Sequence, residues 1–444
     1  MDLGFETIGN ATLICHDGGP LLVTDPWLFG SAYFGSWIHQ HRIPAEQLAA
    51  AEACPYVWVS HGHPDHLSLD SLKRLSGAEI LLPDHVGGRV LADLREAGFR
   101  VRVLPDGVWT PLSDRVRVLC IADVYQDAVL LVDLDGTLIV NSNDAADRGG
   151  GPRVAQCIAK ARRSYLMALI GYGDADMNNV FDESGERIAP VGAQRDPLGP
   201  GIDALLERFG VDAYVPFSTL HRYQRTDSAW ANSLITEPAD FARGFPSGTG
   251  REILPAYARV DLIRDQVETI DPPPNRVELR SPESFGDNWS DPLTVQDVAL
   301  AERYFRRFEH LPHCMGFIRL RVGGCEHHID LHPVRPELRE KGITFETPRG
   351  SLVTALKFEV FDDLMIGNFT RTTLHGAWSQ PGTAGLYPDF NPFVTKYGDN
   401  GRARTAGELR AYFAEYRRRG FFGYGDDAAG RAELETLAPY LGLP

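Results

Sequence analysis

Short apolar runs broken by Gly, Pro and Asn dominate the first half of the chain and predict strands joined by tight turns. Residues 5–9, 12–16 and 21–25 read as a meander, with Asn10-Ala11 and Gly18-Gly19-Pro20 supplying turn chemistry. A further strand is expected at 56–59, a helix at 68–75, a strand at 79–82, and a helix at 86–97 stopped by Gly98. Strands follow at 101–104, 116–121, 128–133 and 137–141, the last two joined at Asp135-Gly136. Then come a helix at 152–163, a buried strand at 165–170, a helix at 202–209 and a short strand at 213–216. From about residue 251 the texture changes. Pro272-Pro273-Pro274 and the polar stretch to Asp291 read as a linker or long excursion. Beyond it, helices are expected at 295–308 and 405–418, and strands at 316–322 and 352–361.

Strand-rich halves with interspersed helices predict an α+β sandwich over 1–250 and a C-terminal α/β elaboration over 251–444 that packs over or beside it. Composition narrows the function. The 444 residues carry 44 Lys and Arg against 60 Asp and Glu, a net charge of −16, which excludes an electrostatic footprint for nucleic acid or an anionic membrane. No apolar run approaches the roughly 18 residues a membrane span needs. Cys15, Cys54, Cys120, Cys157, Cys314 and Cys325 lack framework spacing, as expected of reduced thiols, and the N-terminus carries no secretory pattern. A cytoplasmic protein is the expectation.

The chemistry concentrates in Ser60-His61-Gly62-His63-Pro64-Asp65-His66, directly after the strand at 56–59. Three imidazoles and a carboxylate within six residues of a strand end can be aimed at a common point. His61 and His63 suit one metal ion, and Asp65 and His66 a second. Later strand ends offer Asp123, Asp144, whose two oxygens could bridge two ions, and His221. Trp27, in the aromatic loop after Asp25, and Arg222 and Arg225, just beyond His221, are candidate substrate contacts, an arginine fork being suited to a carboxylate or phosphate. Asp174, Asp176 and Asn178 are candidates to orient ligands from behind. Cys325, His327 and His328 are a candidate extra metal site.

The cluster, with Asp144 and His221, resembles the signature of the metallo-β-lactamase superfamily. That resemblance implies an αββα sandwich with a dinuclear centre at one edge. One ion would bind His61, His63, Asp144 and a third terminal ligand; the other would bind Asp65, His66, Asp144 and His221, with Asp65 and Asp144 as the catalytic carboxylates. Hydrolases of the superfamily usually carry a histidine as that third ligand, and counting back from the strand before Asp144 puts Asp123 there. A carboxylate hardens the site and favours iron or manganese over zinc. The alternative is that Asp123 is a turn residue.

Val59–Ser68, Gly107-Val108-Trp109, Val215-Pro216-Phe217 and Asp362–Phe369 are similar to the lactamase-like module of the CMP-N-acetylneuraminic acid hydroxylases. Those enzymes also hold a Rieske cluster, which needs a second cysteine motif; here Cys325-Glu326-His327 has no cysteine after it, so no Rieske cluster is expected. Two functions stay open: a dinuclear iron oxygenase acting on a small polar metabolite, with a ferredoxin or reductase as electron donor, or a zinc- or manganese-dependent hydrolase of an ester, lactone or phosphoester.

Overall fold

The first three strands pair as the turns predict. Leu3–Ile8 runs antiparallel to Thr12–Asp17, which runs antiparallel to Pro20–Thr24. In this computed structural model, which describes residues 1–145, 151–172, 179–378, 382–386 and 389–420, the meander continues in parallel through Tyr56–Trp58, Glu79–Leu82 and Val101–Val103. On its other edge Ala258–Asp261 pairs with Leu3–Ile8, and Gln266–Thr269 completes an eight-stranded sheet, so strands from beyond residue 250 belong to it.

The second sheet has seven strands. Thr110–Pro111, Val116–Ala122, Ala128–Leu134 and Thr137–Asn143 are antiparallel neighbours, and Arg163–Leu169, Ala213–Phe217 and Glu252–Ile253 extend it in parallel. Because side chains alternate along a strand, each sheet has two apolar faces to bury. Leu13 and Cys15 face inward onto Val118, Cys120, Leu130, Val132 and Met167 of the other sheet. Ile14 and Val57 face outward, under residues of the helices Ala45–Glu52, Leu69–Arg74 and Arg89–Glu96. Leu131, Val140 and Leu166 of the second sheet lie under Gly151–Ile158 and Gly199–Phe209. The result is the αββα sandwich.

Four strands of the C-terminal part, Arg371–His375, Gly342–Glu346, Phe317–Val322 and Cys325–Asp330, form a five-stranded sheet with Val180–Phe181 from the first part. Its core includes Phe305, Ile318, Phe345, Leu352 and Phe361. The expected strand at 352–361 is instead two helices, Arg349–Phe358 and Phe361–Ile366. Leu352, Ala355 and Leu356 recur at helical spacing and are buried, so the apolar run reflects one face of a helix pressed on the sheet. The predicted helix at 86–97 begins only at Arg89, since Gly87 and Gly88 have positive φ.

Candidate metal centre

The strand ends that the sequence singles out meet at one edge of the sandwich. The loop after Tyr56–Trp58 delivers His61, His63, Asp65 and His66; the end of Thr137–Asn143 delivers Asp144; and His221 opens the short strand His221–Tyr223, paired with Trp37–His39. Apart from Asp144, these side chains are buried.

Among the described residues, His61, His63 and Asp144 are the one group of three acidic, histidine or cysteine side chains whose ligand atoms all lie within 4.8 Å of one another, close enough to hold a metal ion as they stand. The hydrogen-bond network assigns the tautomer of His63: Nε2 lies 3.0 Å from Asp362 Oδ2 and donates to it, leaving the Nδ1 lone pair. That lone pair faces His61 Nε2 at 2.8 Å, so a proton or a metal ion must sit between the two rings. On the far side of His61, Nδ1 contacts Ser60 Oγ at 2.8 Å, with Asp127 Oδ1 at 3.8 Å.

A second group of donors converges on the same carboxylate. His66 Nε2 lies 3.4 Å from Asp144 Oδ2 and 3.2 Å from Asp65 Oδ2, while its Nδ1 is 3.3 Å from Asp25 Oδ2. Asp144 Oδ2 is 3.8 Å from His61 Nε2, and its Oδ1 accepts from Ser218 Oγ at 2.6 Å. One oxygen of Asp144 therefore stands between the His61 and His66 rings. Asp65 accepts from Asn10 Nδ2 at 2.9 Å and from the Tyr33 hydroxyl. Asp25, fully buried, accepts from the Ser60 amide at 2.7 Å and from the Asn143 amide group. The carboxylate behind His63 leaves its inward nitrogen available as a ligand, while behind His66 both Asp25 and the Asn143 amide group face Nδ1.

The titration behaviour follows from this packing. Burial, reinforced by His66 and His63, holds His61 well below the ordinary imidazole range. Burial also lowers His221, to about 3, so both are neutral at pH 7 and competent as ligands. Burial opposes the charge on His66, but Asp65 and Asp144 outweigh it and raise its pKa. Burial and Lys396 likewise oppose the charge on His63, and the bond to Asp362 reverses them. Burial pushes the Asp363 carboxyl up to about 7, against the attraction of His63. The residues fit a cation: neither ring nitrogen of buried His221 has a hydrogen-bond partner among the described residues, a costly arrangement that a metal bond would relieve.

Other expected site residues lie elsewhere. Asp123 does not join the His61 group: its Oδ1 accepts from the amides of Tyr125 at 2.8 Å and Asp127 at 2.9 Å, making it a turn former. Arg225 is fully buried and occupied by the protein, bonded to Asp227 at 2.8 Å, Asp287 at 2.8 Å and the Phe34 carbonyl, which removes it as a substrate contact. Arg222 pairs with Glu237 at 2.8 Å. Trp27 is buried and stacked on His39. Cys325, His327 and His328 lie on one strand and form no metal-holding group with other described residues. Asp174, Asp176 and Asn178 lie outside the described residues. The partners that sequence reasoning missed are Asn10, Asp25, Tyr33, Asp127, Asn143 and Asp362; only Asp362, within a stretch already similar to the hydroxylases, carried any local signal.

No protein-family model matches the chain. Among known proteins it is similar to the cytidine monophosphate-N-acetylneuraminic acid hydroxylases of Macaca mulatta, 30% identical over 163 residues, and Gorilla gorilla gorilla, 30% identical over 184 residues. These matches cover 34% and 39% of this chain, but only 28% and 30% of those proteins. Among solved structures, the diiron β-hydroxylase CmlA from Streptomyces venezuelae superposes with a TM-score of 0.39 at 14% identity, covering 59% of this chain and 54% of that one. Igni18, a metallo hydrolase from Ignicoccus hospitalis, gives a TM-score of 0.36 at 12% identity, covering 61% of this chain and 99% of that one. Superpositions this loose carry no weight for the reaction. The strand order, the helices on both faces and the histidine–aspartate edge make this a metallo-β-lactamase-fold protein, similar over part of its sequence to CMP-N-acetylneuraminic acid hydroxylase.

Proposed function

We propose that the chain is a non-haem dinuclear iron oxygenase that hydroxylates a small polar metabolite, with electrons from an external donor such as a ferredoxin or a reductase. The observation that carries this reading is the donor set. The His61 group has two imidazoles and the Asp144 carboxylate, and among the described residues no third imidazole joins it, where hydrolases of the superfamily usually add a histidine. A mixed set of imidazole and carboxylate donors suits iron. Similarity to a hydroxylase supports the same reading.

His61 Nε2, His63 Nδ1 and Asp144 would hold one ion, and Asp65, His66, His221 and the shared Asp144 the other. Iron bound there supplies the redox chemistry that activates dioxygen. Overall, a C–H bond, dioxygen, two electrons and two protons give an alcohol and water. The chain contributes orientation. Asp362 fixes the tautomer of His63, Asp25 and Asn143 hold His66 from behind, Ser218 and Asn10 aim Asp144 and Asp65, and the stacked aromatic rings of Trp37 and His221 keep water from that side of the centre.

Anaerobic purification with metal analysis tests the reading. Two iron per chain and oxygen uptake by the reduced protein are expected. Two zinc per chain, hydrolysis of generic esters and no oxygen uptake would replace it with the metallo-hydrolase.

A further inference from the structure

The C-terminal part of the chain reaches into the metal centre through one side chain. Asp362 sits in the first turn of the helix Phe361–Ile366, far from the histidine loop in sequence, yet its Oδ2 lies 3.0 Å from His63 Nε2. The same oxygen is 3.3 Å from Lys396 Nζ, carried by the π-helix Pro392–Asn400. All three side chains are buried. The π-helix is anchored in turn: Asp399 accepts from the Tyr304 hydroxyl and from Arg307, each at 2.6 Å. A π-helix is rare and tends to occur at functional sites.

We propose that Asp362, clamped by Lys396, is a positioning residue that commits His63 to binding metal through Nδ1, making residues beyond 251 a working part of the metal centre and not an appended module. The inference rests on the reading of His63 as a ligand. An imidazole can turn about its own bonds and present either nitrogen. With Nε2–H held by a buried carboxylate, only Nδ1 is left to face His61. A carboxylate acceptor also makes the ligating nitrogen more basic and strengthens its bond to a cation. Lys396 keeps Asp362 ionised and in place, so that the carboxylate accepts the hydrogen bond and does not itself swing in as a ligand. Behind His66, the Asp25 carboxylate and the Asn143 amide group each lie 3.3 Å from Nδ1, from within the sandwich. The two histidines are thus held from two different parts of the chain.

The test is zinc affinity of the full chain, measured by chelator competition, with circular dichroism as a check on folding. In the Asp362→Asn variant, one of the two zinc ions should weaken by about ten- to a hundredfold, while the other keeps its wild-type affinity. A merely structural ion pair would leave both affinities unchanged, and that result overturns the proposal while leaving the metal reading intact. A wild-type chain that holds no zinc sinks the metal reading itself, and this inference with it. If Asp362→Asn does not fold, nitrogen-15 spectra of histidine-labelled, zinc-loaded wild type decide the matter. His63 protonated on Nε2 and coordinated through Nδ1 supports the role of Asp362; the opposite tautomer overturns it.

Discussion

The His221 imidazole lies flat on the Trp37 indole, ring centroids 3.4 Å apart and planes 5° from parallel. Strand register puts both rings on one face: His221 sits opposite His39 and Trp37 opposite Tyr223, so Trp37 is the diagonal neighbour of His221, delivered by the aromatic loop that starts at Trp27. Trp37 is thus the surface that sets the plane of a candidate metal ligand. Trp37→Phe keeps an aromatic face and should retain both metals; Trp37→Leu should lower the metal content towards one ion per chain. Elemental analysis of the purified variants checks this, and equal metal content in all three proteins would exclude the role.

Asp144 stands between two imidazoles, so its loss should affect both metals together. Asp144→Ala should abolish metal retention and reduce activity to background. Ser218→Ala removes only the hydrogen bond to Asp144 Oδ1, and should weaken metal binding by about tenfold with little change in thermal stability. Titration with a chelator separates the two outcomes.

Acid should destabilise the fold through a buried histidine. Burial lowers the pKa of His39 to about 4, against an unfolded value near 6.5. Below 6.5 the unfolded chain takes up a proton that the folded chain refuses, so stability falls as pH drops from 6.5 to about 4. At pH 5 the loss from this one residue is about 2 kcal/mol relative to pH 7. His39→Gln should reduce the loss between pH 7 and pH 5 by about that amount, leaving the share that buried His221 contributes, as read from urea melts of the metal-free protein at pH 7 and pH 5.

Arg225 and Arg222 are neighbours with different prospects. Arg225→Met strands Asp227 and Asp287 beside a buried apolar group, and should cost about 3–5 kcal/mol of stability. Arg222→Ala breaks a partly exposed pair with Glu237 and should cost under about 1 kcal/mol. Denaturant midpoints measure both. Similar losses would mean that the Arg225 network is not holding the fold.

Much of the site was legible because its ligands are local. His61, His63, Asp65 and His66 lie in one loop, and a strand-to-loop transition visible in the apolar pattern marks where they emerge. Asp144 and His221 were found the same way, each just after an apolar run. Asp123 looked equivalent by the same rule, but its backbone turns so that the carboxylate accepts from the next amides and not from the direction of His61. The run at 352–361 was misread because a short, continuously apolar stretch fits either period, and only the sheet beneath it selects the helix.

What the sequence determined on its own is the layered fold and which residues are candidate ligands at the strand ends, because alternation along strands and side chains at strand ends are properties of neighbouring residues. The tertiary structure decided which nitrogen each histidine presents. Asp25 behind His66 and Asp362 behind His63 come from separate parts of the chain, and no local pattern marks a hydrogen bond between residues that meet only when the chain has folded.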